Sequence, residues 1–374
     1  MKYLIVNKKY IFLHQRYVKF CFGMTILSDE YVKHNSGAID LLKLVLAILV
    51  VGIHTTPMGF GCRPLFRVGV PLFFMISSYL FFLKQGTCAT ALERRRQLVR
   101  SVRRIMKLYL FWFVILLPVT LRIRFFSKQQ DFDIWVDGVQ RFFFDSTFLG
   151  SWYLMALVIG IAAVWFLSEK RVHDIWILAL GILLYVLCCM TSVYRPLVAN
   201  VPWLEQVLIP FETVILCPHN SFAAGILFVA TGKMLAQRSF HIPNAVLITM
   251  ALALTVLLYG EHYVVKSLCV VTSDDCYLML PPLCLCLLVL VGQNTKLKLN
   301  FDTRPLRACS TIVYCSHISV AYCLNIVLNR FVEKESAIYY VLLFSVTLSL
   351  ALLLSYVLLR LEKRDSLHWL RFSH

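Results

Sequence analysis

Charge is what this chain has least of. Asp and Glu number 20 in 374 residues, and charged side chains of both signs make up 15%. A soluble domain carries about a quarter. With 59% hydrophobic residues and a mean hydropathy of +0.74, the shortage excludes an ordinary water-soluble fold and defines a polytopic membrane protein. Zinc-type spacing is missing too. The 13 cysteines include no CxxC pair and no suitable Cys/His arrangement, so no metal is expected. Most cysteines lie inside apolar runs and read as small hydrophobes. Cys269 and Cys276 share an outward-facing loop, where a disulfide is left open. No internal repeat is visible, and no soluble stretch is long enough to fold alone.

The first 37 residues are basic and aromatic but lack the apolar core of a cleavable signal peptide. They read as an interfacial segment, or as sequence ahead of a start at Met24. A membrane domain is predicted over 38–360 and a basic cytoplasmic tail over 361–374. The fold class is all-α, a bundle of about ten transmembrane helices near 39–57, 65–84, 105–122, 151–168, 174–192, 219–236, 244–260, 277–292, 310–329 and 337–359. With the N-terminus inside, 26 Lys and Arg fall on inner segments and 10 on outer ones, so both termini are predicted cytoplasmic. The net charge of +17 thus reads as orientation charge, with no nucleic-acid partner.

Three ionisable residues interrupt the first apolar run, IDLLKLVLAILVVGIH. Each costs free energy in hydrocarbon, about 2.5–3.5 kcal/mol for Asp or Lys at a helix centre. Asp40, Lys43 and His54 fall at about 0°, 300° and 320° on a helical wheel, one face shared with Ala47 and Val51. Such a stripe faces the bundle interior or a hydrated cavity, and we expect a water-accessible route ending at His54. The plainer reading is a snorkelling lysine, an aspartate at a helix start and a packed histidine. A second stripe lies on CSTIVYCSHISVAYCLN, where Ser310, Tyr314 and His317 fall at about 0°, 40° and −20°. Ordinary inter-helical hydrogen bonding would also explain it. Between the second and third runs, ERRRQLVRSVRRIMKLY carries seven cations against one acid, Glu93. It is either a topogenic loop or a phosphate site, since the guanidinium fork grips phosphate oxygens in pairs.

Taken together and in order, these elements resemble the membrane-bound acyltransferase family 3, in its O-acetyltransferase and fucose 4-O-acetylase-like branch. Asp40, Lys43 and His54 match the family's first-span pattern, and VPLFFMISSY at 70–79 matches its second. Arg100, Arg103, Arg104 and Tyr109 match the entrance to the third span, Trp152, Tyr153 and Leu154 a middle span, and Ser310, Tyr314 and His317 the end. Three positions depart from it. Lys43 replaces the commoner Arg, Ser78 stands where Gly is usual, and His219-Asn220-Ser221 replaces a sequence resembling Arg-Asn-Gly.

The resemblance implies an enzyme of a bacterial inner membrane. It would move an acyl group, acetyl by expectation, from cytoplasmic acyl-CoA to a hydroxyl of a cell-surface carbohydrate or its lipid-linked precursor. No bound cofactor is implied; acetyl-CoA is a co-substrate. Arg100, Arg103 and Arg104 would hold its phosphates. His54 would act as general base or carry the acyl group itself, with Asp40 and Lys43 lining the donor path or orienting each other. Ser310, Tyr314 and His317 would position the acceptor or stabilise an oxyanion, and Trp152 and Tyr153 would offer a sugar platform. Two other classes stay open: a transporter or flippase of a polysaccharide precursor, and a haem protein with His54 and His317 as axial ligands.

Overall fold

Apolar runs bounded by polar breaks become helices throughout. The computed structural model describes residues 36–57, 60–126, 134–238, 241–270, 273–293, 301–334 and 336–374; the basic segment 1–35 lies outside the described residues. In chain order the helices are α1 (Ser36–Thr55), α2 (Arg63–Phe66), α3 (Gly69–Gly86), α4 (Ala91–Phe126), α5 (Arg141–Phe144), α6 (Trp152–Glu169), α7 (Asp174–Met190), α8 (Arg195–Val198), α9 (Pro202–Ile215), α10 (Phe222–Gln237), α11 (Asn244–Leu268), α12 (Leu280–Gln293), α13 (Arg304–Leu328) and α14 (Ala337–Leu361). A π-helical turn covers Ile134–Gln140, and 3-10 turns cover Pro218–Asn220 and Asp365–Ser373. No strand occurs among the described residues.

Seven segments among the described residues are long and apolar enough to cross a membrane: α1, α2 with α3, α4, α6, α11, α13 and α14. The other three predicted runs form α7, α10 and α12, of 17, 16 and 14 residues. At 1.5 Å per residue these measure about 21–26 Å, short of a hydrocarbon core of about 30 Å. The expected ten spans are therefore seven full-length helices and three shorter apolar ones. The protein is a multi-pass membrane protein.

Helix α10 shows why a short helix suffices. It is the innermost element, buried from Ala223 to Lys233 and packed on α3, α6 and α7, so protein rather than lipid surrounds it. Ser221 starts it, its Oγ accepting from Ala223 N at 3.1 Å. The Ser78 departure is accommodated here. A Cβ at Gly232 would stand 1.9 Å from Ser78 Oγ and 2.5 Å from the Met75 carbonyl, so Gly232 on the facing helix leaves the room that Ser78 fills. Gly232→Ala is expected to destabilise the protein by about 1–3 kcal/mol through overpacking. Thermal unfolding in detergent checks this, and adding Ser78→Gly should restore only part of the loss, because the Met75 carbonyl still crowds the new Cβ.

The arginine-bearing helix begins at a capping box. Glu93 N donates to Thr90 Oγ1 at 3.2 Å, and Glu93 Oε2 accepts from Ala89 N at 2.8 Å. The 36 residues of α4 make it about 54 Å long, nearly twice the hydrocarbon thickness. Its arginine-rich turns stand beyond the apolar part, with Arg100, Arg103 and Arg104 exposed.

Helices α1 and α13 pack as a parallel pair. Thr303 Oγ1, at the start of α13, donates to Asp40 at 2.9 Å. Fourteen residues further along each helix, the His54 and His317 rings meet. Both contacts have the same offset of 263 residues, so the helices run in register for about 21 Å. Between them the expected water route is closed. Ala47 and Val51 are fully buried on the stripe face, and Ser310 is 1% exposed. The stripe is thus split into a charged cluster at the N-terminal ends of the two helices and a histidine pair further along them.

Candidate active site

His54 occupies the last turn of α1, where the final backbone carbonyls lack helical partners. Arg63 supplies them: its Nη1 donates to the carbonyls of Ile53 at 2.5 Å and Thr56 at 2.7 Å. The same guanidinium grips Asp274 through Nε at 2.5 Å and Nη2 at 2.8 Å. Arg67, one turn on, bridges Asp274 and Asp275. Two cations and two anions are thereby joined across more than 200 residues of chain, and they fix the end of α1.

The loop acids respond to this pairing. Burial pushes the Asp274 carboxyl up, but hydrogen bonds and charge from Arg63 and Arg67 outweigh it and hold the pKa at about 2. Asp275 is also buried and yet is held down by Arg67 and His219. His219 lies 3.6 Å from Asp275, and burial lowers its pKa despite that neighbour.

Within this collar the His54 ring opens into a cavity of about 170 Å3, lined also by Arg67, Ser146, Gly150, Trp152, Asn220, Asp275, Tyr314 and His317. The His54 and His317 ring centroids stand 5.2 Å apart at 49°. His317 Nδ1 lies 2.6 Å from the Tyr314 carbonyl, which can only accept. The proton is therefore on Nδ1, and Nε2 is a bare acceptor, buried with no partner among the described residues. A smaller space of about 40 Å3 shares Arg67, Trp152, Asn220 and Asp275 and extends to His219 and Tyr185.

The structure brings together His54, His317, Tyr314 and Trp152 from the sequence-predicted set. It places the rest elsewhere. Tyr153 packs with Phe73, Phe74 and Tyr314, its hydroxyl 3.1 Å from Ser77 Oγ, and lines neither cavity. Tyr314 donates its hydroxyl proton to the Gly150 carbonyl at 2.9 Å. Gly150 needs its φ of +80°, and a Cβ there would come within 3.0 Å of Ile318. Ser310 Oγ donates to the Arg307 carbonyl at 2.8 Å on its own helix. Asp40, Lys43 and, from α4, Arg104 belong to the charged cluster, whereas Arg100 and Arg103 stay exposed on α4. Cys269 and Cys276 are free thiols, so the disulfide left open above is not formed. Glu205 and Glu212 of α9 both pair with Arg195. No group of three or more metal-ligating side chains occurs among the described residues.

Sequence reasoning passed over Arg67, Asp274 and Asp275. The available signal was two adjacent acids, in a chain with only 20, and two arginines four residues apart leading into an apolar span.

Long apolar helices thus surround a chamber that holds two imidazoles. The chain belongs to acyltransferase family 3, described as an acyltransferase domain, which matches residues 36–359. An amino-acid racemase of Enterococcus faecalis is 24% identical over 346 residues, covering 89% of this chain and 47% of its own length. A second amino-acid racemase of that species is 25% identical over 286 residues, covering 72% and 39%. A serine/alanine racemase of Enterococcus gallinarum is 30% identical over 135 residues, covering 34% and 18%. The chain thus spans about half or less of the length of these curated relatives. No solved structure matches it.

Proposed function

We propose that the protein transfers an acetyl group from cytoplasmic acetyl-CoA to a hydroxyl of a cell-surface carbohydrate or its lipid-linked precursor, in a bacterial inner membrane with both chain ends cytoplasmic. The observation that carries this reading is the pair of imidazoles in one cavity of an acyltransferase-family chain. A sugar hydroxyl is a weak nucleophile at neutral pH. A ring nitrogen of His54 takes its proton as the hydroxyl oxygen attacks the thioester carbonyl. The C–S bond breaks, CoA leaves as thiolate, and the imidazolium returns the proton. His317 Nε2, an acceptor only, takes a hydrogen bond from a neighbouring hydroxyl of the sugar and so orients the ring. Because the Tyr314 proton is committed to Gly150, the Arg67 guanidinium and the Asn220 amide are the donors available to a developing oxyanion. Trp152, on the wall of both cavities, offers a flat apolar face to a sugar ring. For the acyl arm to reach His54, the α1–α13 seam, closed at Ala47, Val51 and Ser310, has to part.

The racemase activity named for the Enterococcus proteins belongs to chains about twice as long or more, and it plays no part in this chemistry. Membranes carrying the protein, incubated with isotope-labelled acetyl-CoA and a carbohydrate acceptor, test the reading. Label on the acceptor is expected; acceptor moved across the membrane unlabelled would replace the reading with a flippase. Label retained on the protein without acceptor would mark His54 as an acyl carrier rather than a base. Changing Arg103 and Arg104 together to Gln is expected to raise KM for acetyl-CoA about tenfold or more, measured as initial rates over a donor titration.

A further inference from the structure

The inner end of the α1–α13 pair holds charges that the histidine chamber does not use. Asp40 is buried, accepts from Thr303 and lies 3.7 Å from Arg307 Nε. Lys43 stands one turn along α1 from Asp40. Arg104 reaches the same place from α4, so that Asp40, Arg307 and Arg104 are the charges acting on Lys43. Three cations from three helices therefore share one carboxylate. Among the described residues, none of these three side chains donates a hydrogen bond. Arg307 is held at one edge by Asp40, while 51% of its side chain is open to the outside.

The chain's last turn walls this bay. Trp112 Nε1 donates to the Ser373 carbonyl at 3.0 Å, and Lys107 Nζ lies 5.0 Å over the Phe372 ring. His374, beside Glu362, is close enough to feel Arg307. The rest of the arginine run is less enclosed: Arg100 is exposed and turns its Nε back to the Arg96 carbonyl at 3.3 Å. Two unbalanced cations with free N–H groups repel each other until an anion with several acceptor oxygens lies between them.

We infer that Arg307 is a donor-binding residue: with Lys43 and Arg104 it forms a three-helix cradle for the phosphates of a nucleotide-linked acyl donor, and Asp40 holds Arg307 in place. This rests on the acyl-CoA reading above. It adds to the α4 arginines a residue on the helix that also carries His317, so one rigid element holds the donor's phosphates and faces its thioester. Arg307 and His317 are ten residues apart, about 15 Å, so Arg307 touches no reacting atom.

The same phosphate chemistry exists in CoA and in a lipid headgroup, and the experiment separates them. Wild type and Arg307→Gln are reconstituted in nanodiscs of phosphatidylcholine, with and without phosphatidylglycerol. Free CoA is titrated calorimetrically, and acetyl transfer is followed over donor and acceptor concentrations. Arg307→Gln is expected to weaken CoA binding and raise the acetyl-CoA KM by about tenfold or more in both lipids. Acceptor KM and kcat should stay within about twofold. Arg307→Lys, which keeps charge but loses the fork, should fall between. Unchanged CoA binding, or an effect seen only with phosphatidylglycerol, overturns the inference. So does an Asp40→Asn/Arg307→Gln double variant that binds CoA as wild type does, because Arg307 would then only neutralise Asp40. If Arg307→Gln fails to assemble, Arg104→Gln carries the same expectation. Wild type that binds CoA through Arg307 but transfers no acetyl group sinks the functional reading and leaves the cradle standing.

Discussion

His54→Ala lowers acetyl transfer by about 10²–10⁴-fold, while the protein still inserts in the membrane and purifies as wild type does. The size follows from what general-base groups contribute to proton transfer. The intact fold follows from the surroundings. The ring opens into a cavity and donates to no side chain among the described residues, so its removal breaks no hydrogen bond seen there to hold a helix. Rates with labelled acetyl-CoA, beside an unchanged elution profile, check both halves. Retained activity would end the catalytic role. A His54→Ala protein that aggregates would instead show that the imidazole pair is structural.

Asp274→Ala has the largest expected effect on stability, a loss of about 3–5 kcal/mol. The carboxylate accepts three hydrogen bonds from Arg63 and Arg67, and without it two buried guanidiniums face each other with only Asp275 between them. Replacing one partner of a buried charge network costs more than replacing both. Arg63→Met with Asp274→Leu should therefore be less destabilised than Asp274→Ala alone. Acid has the same effect more gradually. The Asp274 pKa is about 2 in the folded protein against an ordinary 3.8. Its contribution is complete above the ordinary value and is lost as pH falls through about 2. Unfolding measured against pH should therefore show wild type losing stability between roughly pH 4 and 2. That acid-sensitive step should be absent from the double replacement.

Much of this architecture was legible because hydrophobic period and polar exceptions are local properties. The stripe through Asp40, Lys43 and His54 and the one through Ser310, Tyr314 and His317 follow from helical geometry, and each marks the face its helix turns inward. A wheel shows a face but not what meets it. That Asp40 meets Thr303 while His54 meets His317 depends on packing across 263 residues. Tyr153 shows the limit at short range. It neighbours Trp152, yet successive helical side chains point about 100° apart, and only the tryptophan reaches the cavity. Arg67 and Asp275 were hidden for a different reason. Each sits in or beside a short loop, where charges usually meet solvent, and only their mutual burial distinguishes them. Run length did not separate α7, α10 and α12 from the longer helices, and for the buried α10 hydropathy does not distinguish a helix wrapped by protein from one wrapped by lipid.

The parallel seating of α1 against α13 bears on how the molecule is made. At translation speeds of about 5–20 residues per second, α1 emerges tens of seconds before its mate. During that wait its aspartate and imidazole have neither Thr303 nor His317, so a translocon or an earlier helix must shelter them. A nascent chain halted before the penultimate helix would already carry every arginine of α4, yet its reaction chamber would have no second wall.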